Sequence, residues 1–179
     1  KSITTSENRL FLFDRVTGRT TEISEADKPG SYSASGFSND NASFYYTTDV
    51  GKEFAYLVKY DIATGGREVV YEADWDVRGC SFSRNEKYRM IMVNEDARIK
   101  LKITDQSTGQ DVVWPDIQGS NIEDLAISES EKYLLLGLGT SRTPGDLYLY
   151  EFGGTDMKKL TNNLNPEINP ANLTEAEVV

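Results

Sequence analysis

The sequence predicts an all-β fold made of a repeated unit, and two observations carry this prediction. An apolar residue followed by serine recurs every 45 residues, at Phe37-Ser38, Phe82-Ser83 and Ile127-Ser128. Between these markers the apolar residues are spaced by two or run continuously, whereas a helix would space them by three and four. Repeats of about 40 to 45 residues with four strands each are typical of WD40-like β-propeller blades. We therefore expect a partial β-propeller of about three and a half four-stranded antiparallel blades.

The strands within each repeat grade from apolar to polar. The second strands (residues 44–46, 90–93 and 134–138) are near-continuous apolar runs, as expected for strands buried on both faces. The third strands (57–60, 99–103 and 147–150) alternate and close on an acidic residue before a glycine turn. The outermost strands (68–71, 111–114 and 158–160) are shorter and more polar. This order fits a radial array whose inner strands are the most buried.

The repeat also divides the chain. A fourth copy of the alternating segment, residues 10–18, has no marker before it, so we expect residues 1–34 to be a partial blade that lacks its inner strand. Three blades follow at 35–79, 80–124 and 125–165, and an exit linker at 166–179. Within the linker, Asn169-Pro170 fits either the start of a short helix or an extended segment. Because open end blades leave apolar faces without a neighbour, we expect a longer parent protein or a homo-oligomer formed through the open blades.

Composition narrows the classes of partner. The net charge of −10 argues against binding to nucleic acid, which needs a surface rich in lysine and arginine. The sequence contains no apolar run of about 18 residues, so we expect no membrane span. The single cysteine, Cys80, excludes an internal disulfide and is expected to be a buried small apolar residue. The chain carries no recognisable targeting signal, which leaves both the cytoplasm and the periplasm open.

The chain contains no histidine, and this absence removes several kinds of chemistry. Ser-His-Asp and Cys-His catalysis, histidine metal sites and imidazole acid–base catalysis are all excluded. No Gly-x-Ser-x-Gly elbow, phosphate-binding glycine loop or calcium loop is present. The carboxylate pairs are expected to be solvated turn charges. We therefore predict no catalytic residue, cofactor site or metal site, and the chain alone is not expected to be an enzyme.

Several segments resemble known propellers. Residues 37–40, 83–87 and 128–133 look like degenerate copies of the Trp-Ser-Pro-Asp-Gly-Lys turn of prolyl oligopeptidase and Tol-associated propellers. Residues 44–96 resemble, at greater length, the propeller of bacterial prolyl oligopeptidase-family serine peptidases of the acylaminoacyl-peptidase and dipeptidyl-peptidase type. This resemblance implies a non-catalytic propeller that gates and selects short peptides for a covalently linked α/β-hydrolase domain, which would hold the catalytic residues. The alternative is a Tol-associated propeller that acts as a protein-binding scaffold without an enzyme domain.

Meander topology indicates which loops meet a hydrolase domain. The turn after each second strand (49–53, 94–98 and 140–146), each crossover between blades (74–78 and 118–124) and the final exit should share one face. Trp75 and Arg78 stand out there, since aromatic and arginine side chains dominate contact energies, although a Trp packed between blades and a solvated Arg remain the simpler interpretation. The candidate residues of the hydrolase-facing or substrate-cavity loops are Trp75, Asp76, Arg78, Asn94, Glu95, Arg98 and Arg142.

Overall fold

The computed structural model describes residues 1–115, 119–174 and 176, and within them fourteen strands form one two-stranded and three four-stranded sheets. Within each sheet, strands that are consecutive in the sequence are neighbours, and the paired strands whose register is given by residue partners are antiparallel. The two-stranded sheet contains β1 (Phe11–Phe13) and β2 (Thr20–Glu22). The first four-stranded sheet contains β3 (Tyr32–Phe37), β4 (Ser43–Thr48), β5 (Tyr56–Asp61) and β6 (Arg67–Tyr71). The second contains β7 (Asp76–Phe82), β8 (Tyr88–Glu95), β9 (Arg98–Asp105) and β10 (Gln110–Asp111). The third contains β11 (Asn121–Ile127), β12 (Tyr133–Thr140), β13 (Thr143–Glu151) and β14 (Met157–Lys159).

This architecture confirms the predicted all-β class and the four-stranded antiparallel sheets. The chain divides into two compact units, unit 1 (Lys1–Ser81) and unit 2 (Phe82–Val179). As the apolar runs predict, the second strands are the most buried: all six residues of β4 are buried, as are half of those of β8 and most of those of β12. The outer strands β6, β10 and β14 are mostly exposed.

The marker serine closes the hairpin between the first and second strands of each sheet. The hydroxyl of Ser83 accepts the N–H of Tyr88 at 2.9 Å, and that of Ser128 accepts the N–H of Tyr133 at 3.1 Å. In the first complete sheet, Ser38 accepts the N–H of Ser43 at 3.0 Å. A short hydroxyl side chain that bonds the nearby backbone stabilises a turn, which explains why serine recurs at this position.

The fourth residue of each marker turn has a left-handed backbone. The φ angles are 56° at Asn41, 57° at Glu86 and 56° at Glu131. Glycine adopts this conformation without steric cost, and the turn motif that these segments resemble has glycine there. This chain therefore bears a local backbone cost at each of the three turns.

Each unit has its own apolar core. In unit 1, Val58 and Tyr60 of β5 and Phe44 of β4 pack with Ile23 and Leu12. In unit 2, the alternate residues Leu134, Leu136 and Leu138 of β12 pack with residues of β8 and β9. The ring of Tyr88 stacks on Phe152 with centroids 4.0 Å apart, so the two sheets of this core are joined by aromatic contact as well as by aliphatic packing.

The exit segment contains a short helical turn. A 3-10 helix spans Pro170–Asn172, and the side-chain oxygen of Asn169 accepts the N–H of Ala171 at 3.0 Å. Of the two conformations that the sequence allows for Asn169-Pro170, a short helix and an extended segment, the structure shows the helix, and Asn169 is its N-terminal cap. Among the described residues, none belongs to a helix that is long and apolar enough to cross a membrane.

Candidate functional site

Three connections of unit 1 lie together at one end of its strands. They are the end of the β2–β3 connection (residues 28–31), the β4–β5 loop (49–55) and the β6–β7 crossover (72–75), which we call the unit-1 loop cluster. The N–H of Ser31 donates to the Asp49 carboxylate at 2.7 Å, and the N–H of Val77 donates to the carbonyl of Ala55 at 2.9 Å. In unit 1, therefore, the turn after the second strand and the crossover share one face, as meander topology predicts.

Asp76 joins the crossover to the loop before it. Its carboxylate accepts the N–H of Ala55 at 3.0 Å, across the start of β7. Unit 2 repeats the contact 45 residues later, where the side-chain oxygen of Asn121 accepts the N–H of Ile99 at 2.7 Å. An acidic or amide side chain at this repeat position ties the first strand of one sheet to the backbone at the start of the third strand of the sheet before it. Asp76 is therefore a positioning residue of the loop cluster.

Trp75 lies in the loop cluster and is 40% exposed, and the centroid of its ring is 6.3 Å from that of Phe54. Beside this aromatic pair is a cavity of about 500 Å³, lined by Lys52, Glu53, Phe54, Glu72, Ala73 and Asp74. Lys52 pairs with Glu72 and also lies 4.7 Å from the centroid of the Tyr56 ring. The cavity wall thus combines an aromatic surface with the carboxylates of Glu53 and Asp74, a combination that suits peptide groups and cations.

A second cavity of about 500 Å³ adjoins the first and shares Lys52 and Glu53 with it. It is lined by Thr4, Ser6, Glu7, Pro29, Gly30, Asp49, Gly51, Lys52 and Glu53. Position 30 requires glycine because the β4–β5 loop packs directly against it: a Cβ atom there would lie 2.6 Å from a methyl carbon of Val50. Any larger residue would push the β2–β3 connection away from the β4–β5 loop.

Arg78 and Asp76, expected in a crossover loop at 74–78, lie inside β7 instead. The crossover is shorter because strand β7 begins at Asp76, directly at the hydrogen bond to Ala55. Arg78 is exposed on the strand. Of the predicted residues in unit 1, Trp75 belongs to the loop cluster, Asp76 begins β7 and is hydrogen-bonded to the cluster residue Ala55, and Arg78 lies two residues further along β7.

The predicted residues of unit 2 occupy tight turns. Asn94 and Glu95 end β8 and pair with Ile99 and Arg98 of β9, so the loop predicted at 94–98 is a hairpin with only two connecting residues. These are Asp96 and Ala97, with φ angles of 53° and 59°, the positive values of a type I′ turn. A cavity of about 270 Å³ lies between β9 and the segments that flank the crossover from β10 to β11. It is lined by Ile99, Lys100, Leu101, Val112, Val113, Trp114, Ser120 and Ile122. Gln118, the expected start of the crossover at 118–124, lies outside the described residues.

Arg142 lies in the turn between β12 and β13. The hydroxyl of Thr140 accepts the N–H groups of Arg142 and Thr143, each at 3.1 Å. The loop predicted at 140–146 is again shorter, because the residues from Thr143 onward pair as β13.

The exit of unit 2 is fastened by a buried carboxylate. Asp146 accepts hydrogen bonds from Lys159 (2.6 Å), the Thr161 hydroxyl (2.9 Å) and the N–H of Asn163 (2.8 Å). The Lys159 ammonium, followed by the N–H of Asn163 and the Thr161 hydroxyl, holds the pKa of Asp146 below its ordinary value. Asp146 therefore keeps its charge and anchors the segment that leaves the last sheet.

The sequence reasoning missed two features of the loop cluster. Phe54 was not singled out, because the chain has seven phenylalanines and nothing local marks this one as a partner of Trp75. The equivalent hydrogen bonds of Asp76 (with Ala55) and Asn121 (with Ile99) could have been predicted from the sequence. The two polar residues are 45 positions apart, which is the interval between the marker serines. Among the described residues, no group of three or more His, Cys, Asp or Glu side chains has the arrangement of a metal site.

Comparison with known proteins defines the class of the fold. No protein-family model and no curated protein sequence matches the chain. Solved structures do match it: TolB from Acinetobacter baumannii (15% identity, TM-score 0.59, 87% of this chain and 38% of that one) and oligogalacturonate lyase from Vibrio parahaemolyticus (12% identity, TM-score 0.60, 86% of this chain and 46% of that one). A third is a prolyl endopeptidase (15% identity, TM-score 0.62, 90% of this chain and 24% of that one).

These similarities show a partial β-propeller. At 12–15% identity they establish the fold and leave the activity to be inferred from the site. The chain spans less than half the length of each of these three structures.

Proposed function

We propose that this chain is the non-catalytic propeller of a prolyl oligopeptidase-family serine peptidase, and that it gates and selects short peptides for a separate α/β-hydrolase domain. The observation that supports the proposal is the unit-1 loop cluster, whose cavity of about 500 Å³ is lined by Phe54, with Trp75 packed beside that ring. The match to a prolyl endopeptidase over 90% of this chain is consistent with it. That protein was described in work on the role of inter-domain dynamics in catalysis and specificity.

The chemistry of the loop cluster suits selection without catalysis. Trp75 and Phe54 offer flat apolar area to a peptide side chain, and the carboxylates of Glu53 and Asp74 can accept N–H groups or face an ammonium group. The chain has no histidine to activate a serine nucleophile. Its contribution is therefore to bind, orient and limit the size of peptides, while the hydrolase domain supplies the nucleophile, the base and the oxyanion hole.

The test compares peptide kinetics of the protein that contains both domains with those of its Trp75→Ala variant. We expect the variant to change the ratio of kcat/KM between a short and a long peptide by about fivefold to tenfold, which corresponds to about 1 to 1.4 kcal/mol of lost discrimination. Val16→Ala is the matched control, because Val16 is 94% exposed and lies in unit 1 outside the loop cluster. An unchanged ratio in Trp75→Ala with unchanged stability would reject the gating role.

A second function is favoured by the match to TolB over 87% of this chain. On this alternative the chain is a protein-binding scaffold, and the loop cluster contacts a protein partner. The two functions are separated by hydrolysis of a fluorogenic peptide. The peptidase proposal expects turnover by the whole protein that a serine-directed inhibitor abolishes, whereas the scaffold alternative expects none.

A further inference from the structure

We propose that the Glu131 carboxylate is an acid-sensitive clasp between two turns of unit 2. It holds the turn before β12 (residues 128–132) to the turn before β8 (residues 83–87), and protonation of the carboxylate releases the two turns from each other. We call this carboxylate, together with its donors on Ser83, Asn85 and Lys87, the turn clasp. The turn clasp lies at the end of β8 opposite to the hairpin that joins β8 to β9.

The Glu131 side chain accepts hydrogen bonds from three residues of the turn before β8. The backbone N–H of Asn85 donates to the carboxylate at 2.8 Å, and the side-chain amide of Asn85 donates at 3.3 Å. The Ser83 hydroxyl and the backbone N–H of Lys87 also donate to it. Glu131 is only 9% exposed, so water does not compete freely for these donors. Asn85 and Glu131 are 46 positions apart, about one repeat, and the turn clasp therefore joins consecutive sheets.

The backbone of Glu131 indicates that the carboxylate, and not the turn, calls for glutamate here. Its φ angle is 56°, a left-handed conformation that glycine adopts without steric cost and glutamate does not. The backbone N–H of Glu131 closes the turn by donating to the Ser128 carbonyl at 2.8 Å, which a glycine would also do. Glycine would therefore suit the turn better, but it has no carboxylate for the turn before β8 to bind.

Two other contacts lie beside the turn clasp, and neither replaces it. Arg84 and Glu129 form an ion pair between the same turns, but both side chains are mostly exposed, so the pair contributes little. The rings of Tyr88 and Phe152 stack with centroids 4.0 Å apart, and the N–H of Phe152 donates to the Lys132 carbonyl at 2.9 Å. This aromatic contact carries no charge. Loss of the turn clasp is therefore expected to free the turns while the apolar core of unit 2 stays packed.

The turn clasp holds only when Glu131 is ionised. Burial raises the pKa of Glu131, but the hydrogen bonds from Ser83, Asn85 and Lys87 outweigh burial and bring the pKa below its ordinary value. A lowered pKa stabilises the folded state above the ordinary value of 4.5, and this stabilisation is lost as pH falls through the lower folded-state pKa. A protonated carboxyl group has one acceptor oxygen fewer for the converging donors.

The other charged groups on and beside the two turns do not produce the same response. They are Arg84, Glu86 and Lys87 on the first turn, Glu129 and Lys132 on the second, and Asp105 of β9, which interacts with Lys87. Lys87 interacts with Glu131 as well and stays charged at acid pH. The Asp105 carboxylate is held by Ser107 of its own turn, so its protonation loosens that turn instead of the turn clasp.

The proposal is tested by NMR on the 179-residue chain between about pH 7 and pH 3. We expect the Asn85 N–H resonance to titrate with a midpoint below 4.5, because this N–H donates to the Glu131 carboxylate. Hydrogen-exchange protection of the Asn85 N–H is expected to fall at least about tenfold over this range, since hydrogen bonds to a charged group are strong. Protection at Leu136, which is fully buried in β12, is expected to persist.

Three variants separate the turn clasp from a simple turn residue. Glu131→Gln is expected to abolish the Asn85 titration. Glu129→Gln is the matched control, because it removes the same charge from an exposed residue of the same turn, and it should leave the titration and the protection of Asn85 unchanged. Glu131→Gly relieves the left-handed backbone but removes the carboxylate, so we expect a loss of Asn85 protection of about tenfold at neutral pH.

Three results would overturn the proposal. The first is an Asn85 resonance that does not titrate or that titrates with a midpoint above 4.5. The second is an equal acid-induced loss of protection at Leu136, which would mean that acid unfolds the unit as a whole. The third is Asn85 protection that is kept or raised in Glu131→Gly, since Glu131 would then serve only its own turn. If a variant fails to fold, the titration of the unaltered chain still decides between these outcomes.

Discussion

Substitution of the marker serine Ser83 by alanine is expected to destabilise unit 2 by about 2 to 3 kcal/mol. Ser83 is buried, and its hydroxyl accepts the buried N–H of Tyr88 at 2.9 Å. Removal of the hydroxyl leaves that N–H without an acceptor and without access to water, which costs about 1 to 3 kcal/mol. The same hydroxyl also hydrogen-bonds the Glu131 carboxylate, and the loss of that contact adds to the cost.

Ser128 supplies the matched control, because it occupies the same repeat position 45 residues later. Its hydroxyl accepts the N–H of Tyr133 at 3.1 Å, but this hydrogen bond is exposed. Water can replace the serine there, so Ser128→Ala is expected to cost only about 0.5 kcal/mol. The difference of about 2 kcal/mol between the two variants is a factor of about 30 in the unfolding equilibrium.

The assay is urea unfolding followed by tryptophan fluorescence. A Trp75→Phe background leaves Trp114, which packs against the core of unit 2, as the reporter. Free energies of unfolding come from linear extrapolation, with m-values checked for equality among the variants. Equal costs for Ser83→Ala and Ser128→Ala would show that burial of the N–H that each serine binds does not set the cost.

Three further predictions concern turns and contacts between sheets. Ala97→Gly is expected to raise the free energy of unfolding by about 0.5 to 1 kcal/mol, since Ala97 has a φ of 59°, where glycine has no steric cost. Asp76→Asn is expected to be tolerated and Asp76→Ala to cost about 1.5 kcal/mol, because an amide oxygen makes the equivalent hydrogen bond at Asn121. The lowered pKa of Asp146 stabilises the fold above about pH 3.8, and this stabilisation is lost as pH falls through the lower folded-state pKa, so Asp146→Asn should flatten the acid side of the stability profile.

Each of these predictions has a control and a contrary outcome. Ala63→Gly, in a turn with ordinary backbone, should lower stability slightly, and a gain there as large as that of Ala97→Gly would show that φ is not the cause. A cost for Asp76→Asn equal to that of Asp76→Ala would mean that the charge, and not the hydrogen bond, holds the crossover. For Asp146, urea midpoints are measured from pH 2.5 to 7, and an unchanged acid limb in Asp146→Asn would contradict the assigned role.

The fold was predictable because the sequence repeat corresponds to a structural repeat in both the hairpin turns and the buried second strands. The interval between marker serines reflects one hairpin hydrogen bond repeated three times, and the continuous apolar runs reflect second strands buried on both faces. The loop lengths were less predictable. Residues such as Thr143 and Asp76 are polar and look like loop residues, yet they pair as strands because backbone hydrogen bonding does not depend on side-chain polarity.

The site was predictable only in part. Trp75 stands out in the sequence as one of two tryptophans, but its partner Phe54 is 21 residues away and is brought to it only by the return of the chain through β5 and β6. The exposure of Tyr133 was also hidden, because Tyr133 and Tyr88 look alike in the sequence. Only the structure shows that one is covered by a sheet and the other is exposed.

The coding sequence that follows the codon for Val179 in the parent gene decides whether this propeller serves a separate hydrolase domain. We expect an open reading frame that encodes an α/β-hydrolase domain with a Gly-x-Ser-x-Gly elbow, followed by an aspartate and then a histidine. A stop codon directly after Val179, with no hydrolase domain encoded upstream either, would contradict this expectation and favour the scaffold function.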